Sequence, residues 1–293
     1  MNGLLVIDKP GGMTSRDAVN RVQRWFPRKT KIGHTGTLDP LATGVLVVCI
    51  GAATRLADYV QAMGKSYSAR VRLGATSNSD DADGEVTETP NAPVPTRAQI
   101  DAALAGFIGN VEQVPPAVSA LKIDGVRAHK LERKGLEPKP SARAVSIYAI
   151  RVTGFAWPYL DVEVDCGKGT YIRSIARDLG AALGCGGLVQ TLRRTRVGPF
   201  RAEQGVNVDA VPARVTLLPM MDVLTGMKQV RLNADEVARL RCGQFISLPA
   251  DRVPPEGEEL AILGDQAELV GIGVFERGLL KPQVVFAAGD RPA

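Results

Sequence analysis

The sequence predicts an α+β fold in two parts: a large mixed unit over residues 1–228 and a small β-rich unit over 229–293. Three observations carry this reading. Segments with period-two alternation, such as Ser66–Leu73 and Leu160–Cys166, are interleaved with helical patterns that bring their own caps. Three short strand patterns, around Glu259–Ile262, Ala267–Phe275 and Leu279–Phe286, follow one capped helix near the C-terminus. The charge also changes sign. Of 36 basic and 31 acidic residues, seven and ten fall in 229–293, so the larger part is positive and the smaller acidic. A chain of 293 residues suits one large domain or two.

Taken in order, Leu4–Ile7 reads as a strand and Asp8-Lys9-Pro10-Gly11-Gly12 as a turn. Thr14 or Ser15 caps a helix to about Phe26, with Ala18, Val19, Val22 and Trp25 on its apolar side. The apolar run Val45–Ile50 reads as a buried strand, and Thr54–Met63 as a helix. In Ser66–Leu73, Tyr67 shares the inward face with Ala69, Val71 and Leu73, while Ser68, Arg70 and Arg72 face out. Thr76–Glu88 is acidic and loop-like, with a spacing that does not match a calcium loop. Thr96 and Gln99 form a capping box for a helix to about Ile108. Residues from about 117 to 140, basic and punctuated by Gly and Pro, form a projecting insertion. It is either a flap over a polyanion or a solvated excursion. After strands at Val145–Val152 and Leu160–Cys166, Gly167-Lys168-Gly169-Thr170 turns into a helix, Tyr171–Leu183, ended by Gly184. Arg173 and Arg177 share one face of it. The turn is a candidate phosphate binder, although the spacing of a nucleotide-binding loop is missing. Leu192–Arg201, the densest basic run, is a strand beside a site or an edge protected by charge. Val211–Met227 is a connector with a short helix, and Asn233 with Glu236 opens a helix ended by Gly243.

Several classes are excluded. No apolar run approaches a membrane span, and the N-terminus lacks the basic start and apolar stretch of a signal peptide. Cys49, Cys166, Cys185 and Cys242 are scattered, and two histidines do not complete a zinc site. Buried free thiols in a reducing cytoplasm are expected instead. The positive larger part favours a polyanionic partner.

The densest cluster of special residues is Gly33-His34-Thr35-Gly36-Thr37-Leu38-Asp39-Pro40-Leu41-Ala42-Thr43-Gly44. Three glycines and a proline exclude a regular helix or central strand. Asp39 precedes a proline and is therefore extended. It is either a turn-forming aspartate or a carboxylate presented from a core strand for chemistry.

This loop, Leu5-Val6-Ile7-Asp8-Lys9-Pro10, Gly12-Met13-Thr14-Ser15, Lys65-Ser66-Tyr67, Asp80-Asp81-Ala82-Asp83-Gly84, Pro115-Pro116-Ala117-Val118-Ser119-Ala120-Leu121-Lys122, Lys168-Gly169-Thr170-Tyr171-Ile172-Arg173 and Leu192-Arg193-Arg194 occur in one order. In these motifs the chain resembles the TruB family of tRNA pseudouridine-55 synthases over nearly its whole length. The resemblance implies a mixed, largely antiparallel sheet flanked by helices, the pseudouridine synthase fold, with a PUA-like C-terminal RNA-binding domain. It also implies isomerisation of the T-loop uridine of tRNA by base flipping. That reaction breaks N1–C1′, rotates the uracil and joins C5 to C1′, without redox change or loss of atoms, so neither a cofactor nor a metal is expected. A carboxylate nucleophile or base is needed.

By the resemblance, Asp39 is that group and Arg173 holds it ionised. Tyr67 stacks on the uracil and shares in proton transfer, Tyr171 is positional and Leu192 is an apolar wall. His34 enters the T-loop. Lys9, Arg55, Arg193 and Arg194 are expected on the substrate side, and Lys122–Lys134 corresponds to a mobile thumb. His129 replaces the tyrosine common there, and Arg55 stands where some relatives have lysine. The route, through ribose, base or a glycal, stays open. A tRNA-folding chaperone role is a possible second activity. A guide-RNA-dependent enzyme lacks its long basic tail here, and a nucleotide-cleaving enzyme lacks its phosphate loop. The expectation is a cytoplasmic monomer that binds the tRNA T-stem-loop and needs no protein partner.

Overall fold

The structure, a computed structural model, describes residues 1–119, 122–123, 126–127, 140–209, 215–249 and 252–289. In chain order, β1 (Gly3–Lys9) leads to α1 (Ser15–Gln23), β2 (Ile32–His34), β3 (Thr43–Ile50), a 3₁₀ turn at Gly51–Leu56, α2 (Ala57–Ala62) and β4 (Lys65–Leu73). β5 (Ala75–Ser77), β6 (Val86–Glu88), α3 (Arg97–Ala105) and β7 (Gly109–Gln113) follow, then the two-residue strands β8 (Lys122–Ile123) and β9 (Val126–Arg127). The sheet resumes with β10 (Arg143–Ala156), β11 (Tyr159–Cys166), α4 (Ile172–Ala182), β12 (Gly187–Val197), β13 (Phe200–Arg201) and β14 (Val206–Asn207). Beyond a 3₁₀ turn at Met220–Leu224 lie β15 (Gln229–Arg231), α5 (Ala234–Arg241), β16 (Ile246–Ser247), β17 (Glu259–Leu263), β18 (Leu269–Glu276) and β19 (Leu279–Val285).

Among the described residues, ten strands form one sheet in the order β14-β1-β3-β12-β4-β11-β10-β7, with β13 beside β12 and β2 beside β3. Only β1–β14 and β3–β12 run parallel, so the sheet is mixed and largely antiparallel, as expected. The parallel contact of β12 with β3 brings residues 193–194 against Thr43 and Gly44. It is made possible by Gly44, at φ +99°, whose Cβ would lie 2.2 Å from the Arg194 carbonyl oxygen. The glycine therefore admits a neighbouring strand rather than a base.

The predicted alternation holds on β4, where Tyr67, Ala69, Val71 and Leu73 are buried and Ser68 and Arg70 exposed. Its inner face packs with β10, β11 and β12 under α3 and α4. α4 buries Ile172, Ile175 and Leu179, which together stabilise its seat by about 5–8 kcal/mol. α4 also approaches β12 closely, since a Cβ on Gly180 would lie 2.2 Å from Gly187 N. β1 and β3 are buried on both faces, which explains their continuous apolar runs. Leu5, Ile7, Leu46 and Val48 meet α1, capped by a Thr14–Asp17 box. Leu4, Val6, Val45 and Val47 join a second core that takes in Ala261, Ile272 and Phe286. The C-terminal five-stranded sheet, β15-β17-β18-β19-β16, thus shares a hydrophobic core with the large sheet. Tyr59 reinforces the seam by donating to Glu259 Oε1 at 2.7 Å.

Of the insertion expected at 117–140, only its edges and the β8–β9 pair are described; His129 lies outside the described residues. Three cysteines are buried as expected, but Cys242 is exposed at the end of α5. No helix among the described residues is long and apolar enough to cross a membrane.

Candidate active site

Asp39 stands on the loop between β2 and β3, at a cavity of about 360 Å³. Leu38, Ala42, Tyr67, Ile172 and Leu192 provide its apolar walls. Arg173, in the first turn of α4, sets its Nη2 3.0 Å from Asp39 Oδ2. Arg173 is almost fully buried, whereas the Asp39 side chain keeps 35% of its exposure. The carboxylate is thus reachable from the cavity while its counter-ion is not.

Arg173 is shared. Its Nη1 lies 3.2 Å from Asp81 Oδ2, and the guanidinium also donates to Ser79 O at 2.7 Å and Val118 O at 3.0 Å. Asp81 is held in turn by Ser79 Oγ at 2.6 Å and the Asp83 N–H at 3.2 Å. Arg177, on the same helical face, pairs with Asp80 at 2.9 Å. The stretch read from sequence as acidic and loop-like is therefore folded onto α4 by two arginines.

Burial pushes the Asp39 carboxyl above its ordinary pKa near 3.8, opposed by the charge of Arg173 and reinforced by Asp81. The partial exposure of the side chain weakens the burial effect, and the Arg173 contact keeps the carboxylate ionised at neutral pH. Burial likewise raises the Tyr67 hydroxyl, so it stays protonated as a hydrogen-bond donor.

The Asp39 loop is stitched from both sides. Ser15 Oγ accepts from Leu38 N–H at 2.8 Å and donates to Leu38 O at 3.0 Å. The Gly12 N–H donates to Pro40 O at 2.9 Å. From β12, Arg194 donates to Val45 O at 2.7 Å, Gly36 O at 3.2 Å and Thr37 O at 3.4 Å. Gln113 fixes the base of α4, accepting from Tyr171 N–H at 2.8 Å and donating to Tyr171 O at 3.1 Å.

Asp39, Tyr67, Tyr171, Arg173, Leu192 and Arg194 all line the cavity. Four other residues expected on the substrate side are placed differently. Lys9 is fully buried beneath the loop, its ammonium donating to Pro10 O and Met13 O at 2.8 Å and Pro40 O at 3.4 Å. Burial lowers it to about 8. A substrate cannot reach it there, so its role is to support the loop. Arg193 points away from the cavity to pair with Asp8 at 2.9 Å. Arg55 donates to Val285 O and lies over the Phe286 ring, at the seam with the C-terminal sheet. His34 lies outside the cavity on β2. Arg194 does line the cavity, as expected of a residue on the substrate side, but its guanidinium donates to backbone carbonyls. Sequence reasoning missed Ser15, Asp81 and Gln113 as supports. The signal available was their place inside or beside the motifs.

Family comparison decides what this arrangement belongs to. The profile described as TruB family pseudouridylate synthase (N terminal domain) matches residues 24–172. A profile for the tRNA pseudouridylate synthase B C-terminal domain matches 173–220, and one for pseudouridine synthase II TruB, C-terminal, matches 229–286. The chain belongs to the TruB family. It is 42% identical to tRNA pseudouridine synthase B of Cereibacter sphaeroides over 98% of this chain and 96% of that one. It is 41% identical to the enzyme of the same name from Thermobifida fusca, over 98% and 99%. Among solved structures it superposes on a Cbf5-Nop10-Gar1 complex with a TM-score of 0.74 and 26% identity, covering 99% of this chain and 87% of that one. As a TruB-family member the protein is a pseudouridine synthase, an isomerase, and Asp39 lies in the loop that bears its densest motif.

Proposed function

We propose that this protein isomerises the T-loop uridine of tRNA to pseudouridine, with Asp39 as the catalytic carboxylate. The observation that carries the proposal is the Asp39–Arg173 pair at 3.0 Å, set in an apolar-walled cavity with a cationic rim. Among the described residues, five cationic side chains line that cavity and Asp39 is its one carboxylate. Such a surplus attracts RNA. The walls suit a uracil removed from its stack, with Tyr67 against the base and Leu192 opposite, compensating part of the unstacking. Arg173 keeps Asp39 ionised and turned toward the ribose and base; Asp81 keeps Arg173 in place. The same name borne by relatives 41–42% identical over almost the full chain supports tRNA as the substrate. His34, on β2 outside the cavity, would meet the T-loop away from the reacting base. In this reading the enzyme acts as a monomer in the cytoplasm without an obligatory protein partner, and the C-terminal sheet adds RNA surface at its seam with the catalytic part.

The test is incubation of purified protein with an unmodified T-stem-loop and no added cofactor, with pseudouridine mapped by position. The expected result is conversion of the T-loop uridine by the wild type and none by Asp39→Asn, which still binds RNA. Conversion at a normal rate by Asp39→Asn would remove Asp39 from the chemistry.

A further inference from the structure

Three cations of the cavity have no place in the catalytic reading. Lys65 is spent on Gln61 O and Met63 O, at 2.8 and 2.7 Å. The other two are Arg143, at the start of β10, and Lys168, in the Gly-Lys-Gly turn between β11 and α4. Their surroundings set them apart. Arg173, Arg177, Arg193 and Arg196 each face a carboxylate, at 3.0, 2.9, 2.9 and 3.5 Å. Among the described residues, Arg143 and Lys168 face none. Arg143 donates one hydrogen bond, from Nη2 to Gly169 O at 2.9 Å. Its guanidinium lies 4.9 Å from the centre of the Tyr171 ring, and its Nε is shielded from solvent without an acceptor. A guanidinium carries five N–H donors, so most of its capacity is unspent. Lys168 is exposed on the same rim, near enough for its charge to act on Lys65. Asp39, the one carboxylate among the described residues of the lining, is already taken by Arg173. Two cations on one rim, one of them with a buried donor lacking an acceptor, call for an anionic ligand with several oxygens.

We propose that Arg143 and Lys168 form a phosphate subsite that holds one of the two phosphodiesters flanking the flipped uridine. This rests on the reading of RNA as substrate. Tyr171, fixed at its backbone by Gln113, holds the guanidinium over its ring and leaves donors of the fork for a phosphate. Lys168 adds a mobile point charge from the turn. A phosphate anchored there fixes the adjoining ribose against Asp39, so its binding energy is used for orientation. The Gly-Lys-Gly turn thereby acquires a phosphate role without being a nucleotide-binding loop.

The experiment is a coupling cycle. T-stem-loop RNAs are made with each flanking phosphodiester replaced in turn by a neutral methylphosphonate, and kcat/KM is measured for wild type, Arg143→Gln, Arg143→Lys and Lys168→Gln. At one of the two positions the methylphosphonate should cost the wild type roughly 10- to 100-fold, the range of a charge-assisted hydrogen bond. Arg143→Gln should lose a similar factor on unmodified RNA and little more on that modified RNA, with Arg143→Lys recovering part of the loss. Losses that multiply at both positions would mean that Arg143 only braces Tyr171 and Gly169, and the subsite would be wrong. If Arg143→Gln fails to fold, Lys168→Gln, altered at an exposed position, carries the same cycle. Wild-type conversion of unmodified RNA checks the underlying reading separately: no conversion sinks that reading, whereas conversion without coupling sinks only the subsite.

Discussion

Replacing Arg194 with methionine separates two roles that the basic run at 192–201 leaves entangled. Arg194 is 3% exposed, and its guanidinium is spent on the carbonyls of Gly36, Thr37 and Val45, on both sides of Asp39. The 2.7 Å bond to Val45 is a full charge-assisted hydrogen bond, worth about 1.5–3 kcal/mol. The contacts at 3.2 and 3.4 Å are near or past the usual range and add a fraction of that. Methionine keeps the length and apolar packing but leaves the carbonyls bare, so about 2–4 kcal/mol of stability should be lost. For a chain of this size that lowers Tm by roughly 5–15 °C. Freed carbonyls let the Asp39 loop shift, and a displacement near 1 Å costs about 100-fold in rate. A buried guanidinium releases no counterion from RNA, so the slope of log Kd against log salt should not change. Thermal melting, single-turnover tritium release from C5-labelled uridine and a salt titration of Kd measure the three quantities. A variant that melts like the wild type, keeps its kcat and loses about one unit of salt slope would return Arg194 to the RNA surface and refute this reasoning.

Asp81→Asn should lower kcat by roughly 10- to 100-fold while leaving tRNA Kd nearly unchanged, because Arg173 loses one of its two carboxylates and its aim on Asp39; a wild-type single-turnover rate would contradict the shared-arginine picture. Because burial and Asp81 raise the Asp39 pKa, protonation on the acid side should remove activity with a midpoint above 3.8, and the limb should move to lower pH in Asp81→Asn, where a neighbouring negative charge is gone. A pH profile of the single-turnover rate with its limb at or below 3.8, or moving upward in that variant, would show that another group controls the step.

The residues proposed for the chemistry were legible through the family motifs, and each also sits in a distinctive local context. Asp39 stands in a loop too rich in glycine to be a regular element, Tyr67 on a cleanly alternating strand, and Arg173 one turn into a helix with a packed apolar stripe. Their supports were not readable, since each depends on contacts between distant parts of the chain. Arg194 is buried because β12 runs parallel to β3 from 149 residues away, and no local pattern announces that crossing. On charge pattern alone a run of arginines is an exposed edge. The support role of Asp81 was hidden for the same reason: an acidic run is usually surface, and this one turns inward where arginines from another element meet it. Lys9 breaks the ordinary expectation that lysine stays exposed, by giving its ammonium to three carbonyls. The packing of the C-terminal part is a further case. A shift from basic to acidic near residue 229 suggests a separate unit, yet Phe286, Ile272 and Ala261 complete the core under β1 and β3. Net charge reports on surfaces, while that shared core is set by apolar residues that charge does not register. Arg55, expected on the substrate side, lies on this seam. The Asp39 loop therefore rests on β3, whose hidden face is packed in part by the C-terminal sheet. Truncating that sheet would expose the core behind the loop as well as remove the proposed RNA surface, so loss of activity on truncation does not by itself measure RNA binding by the C-terminal part.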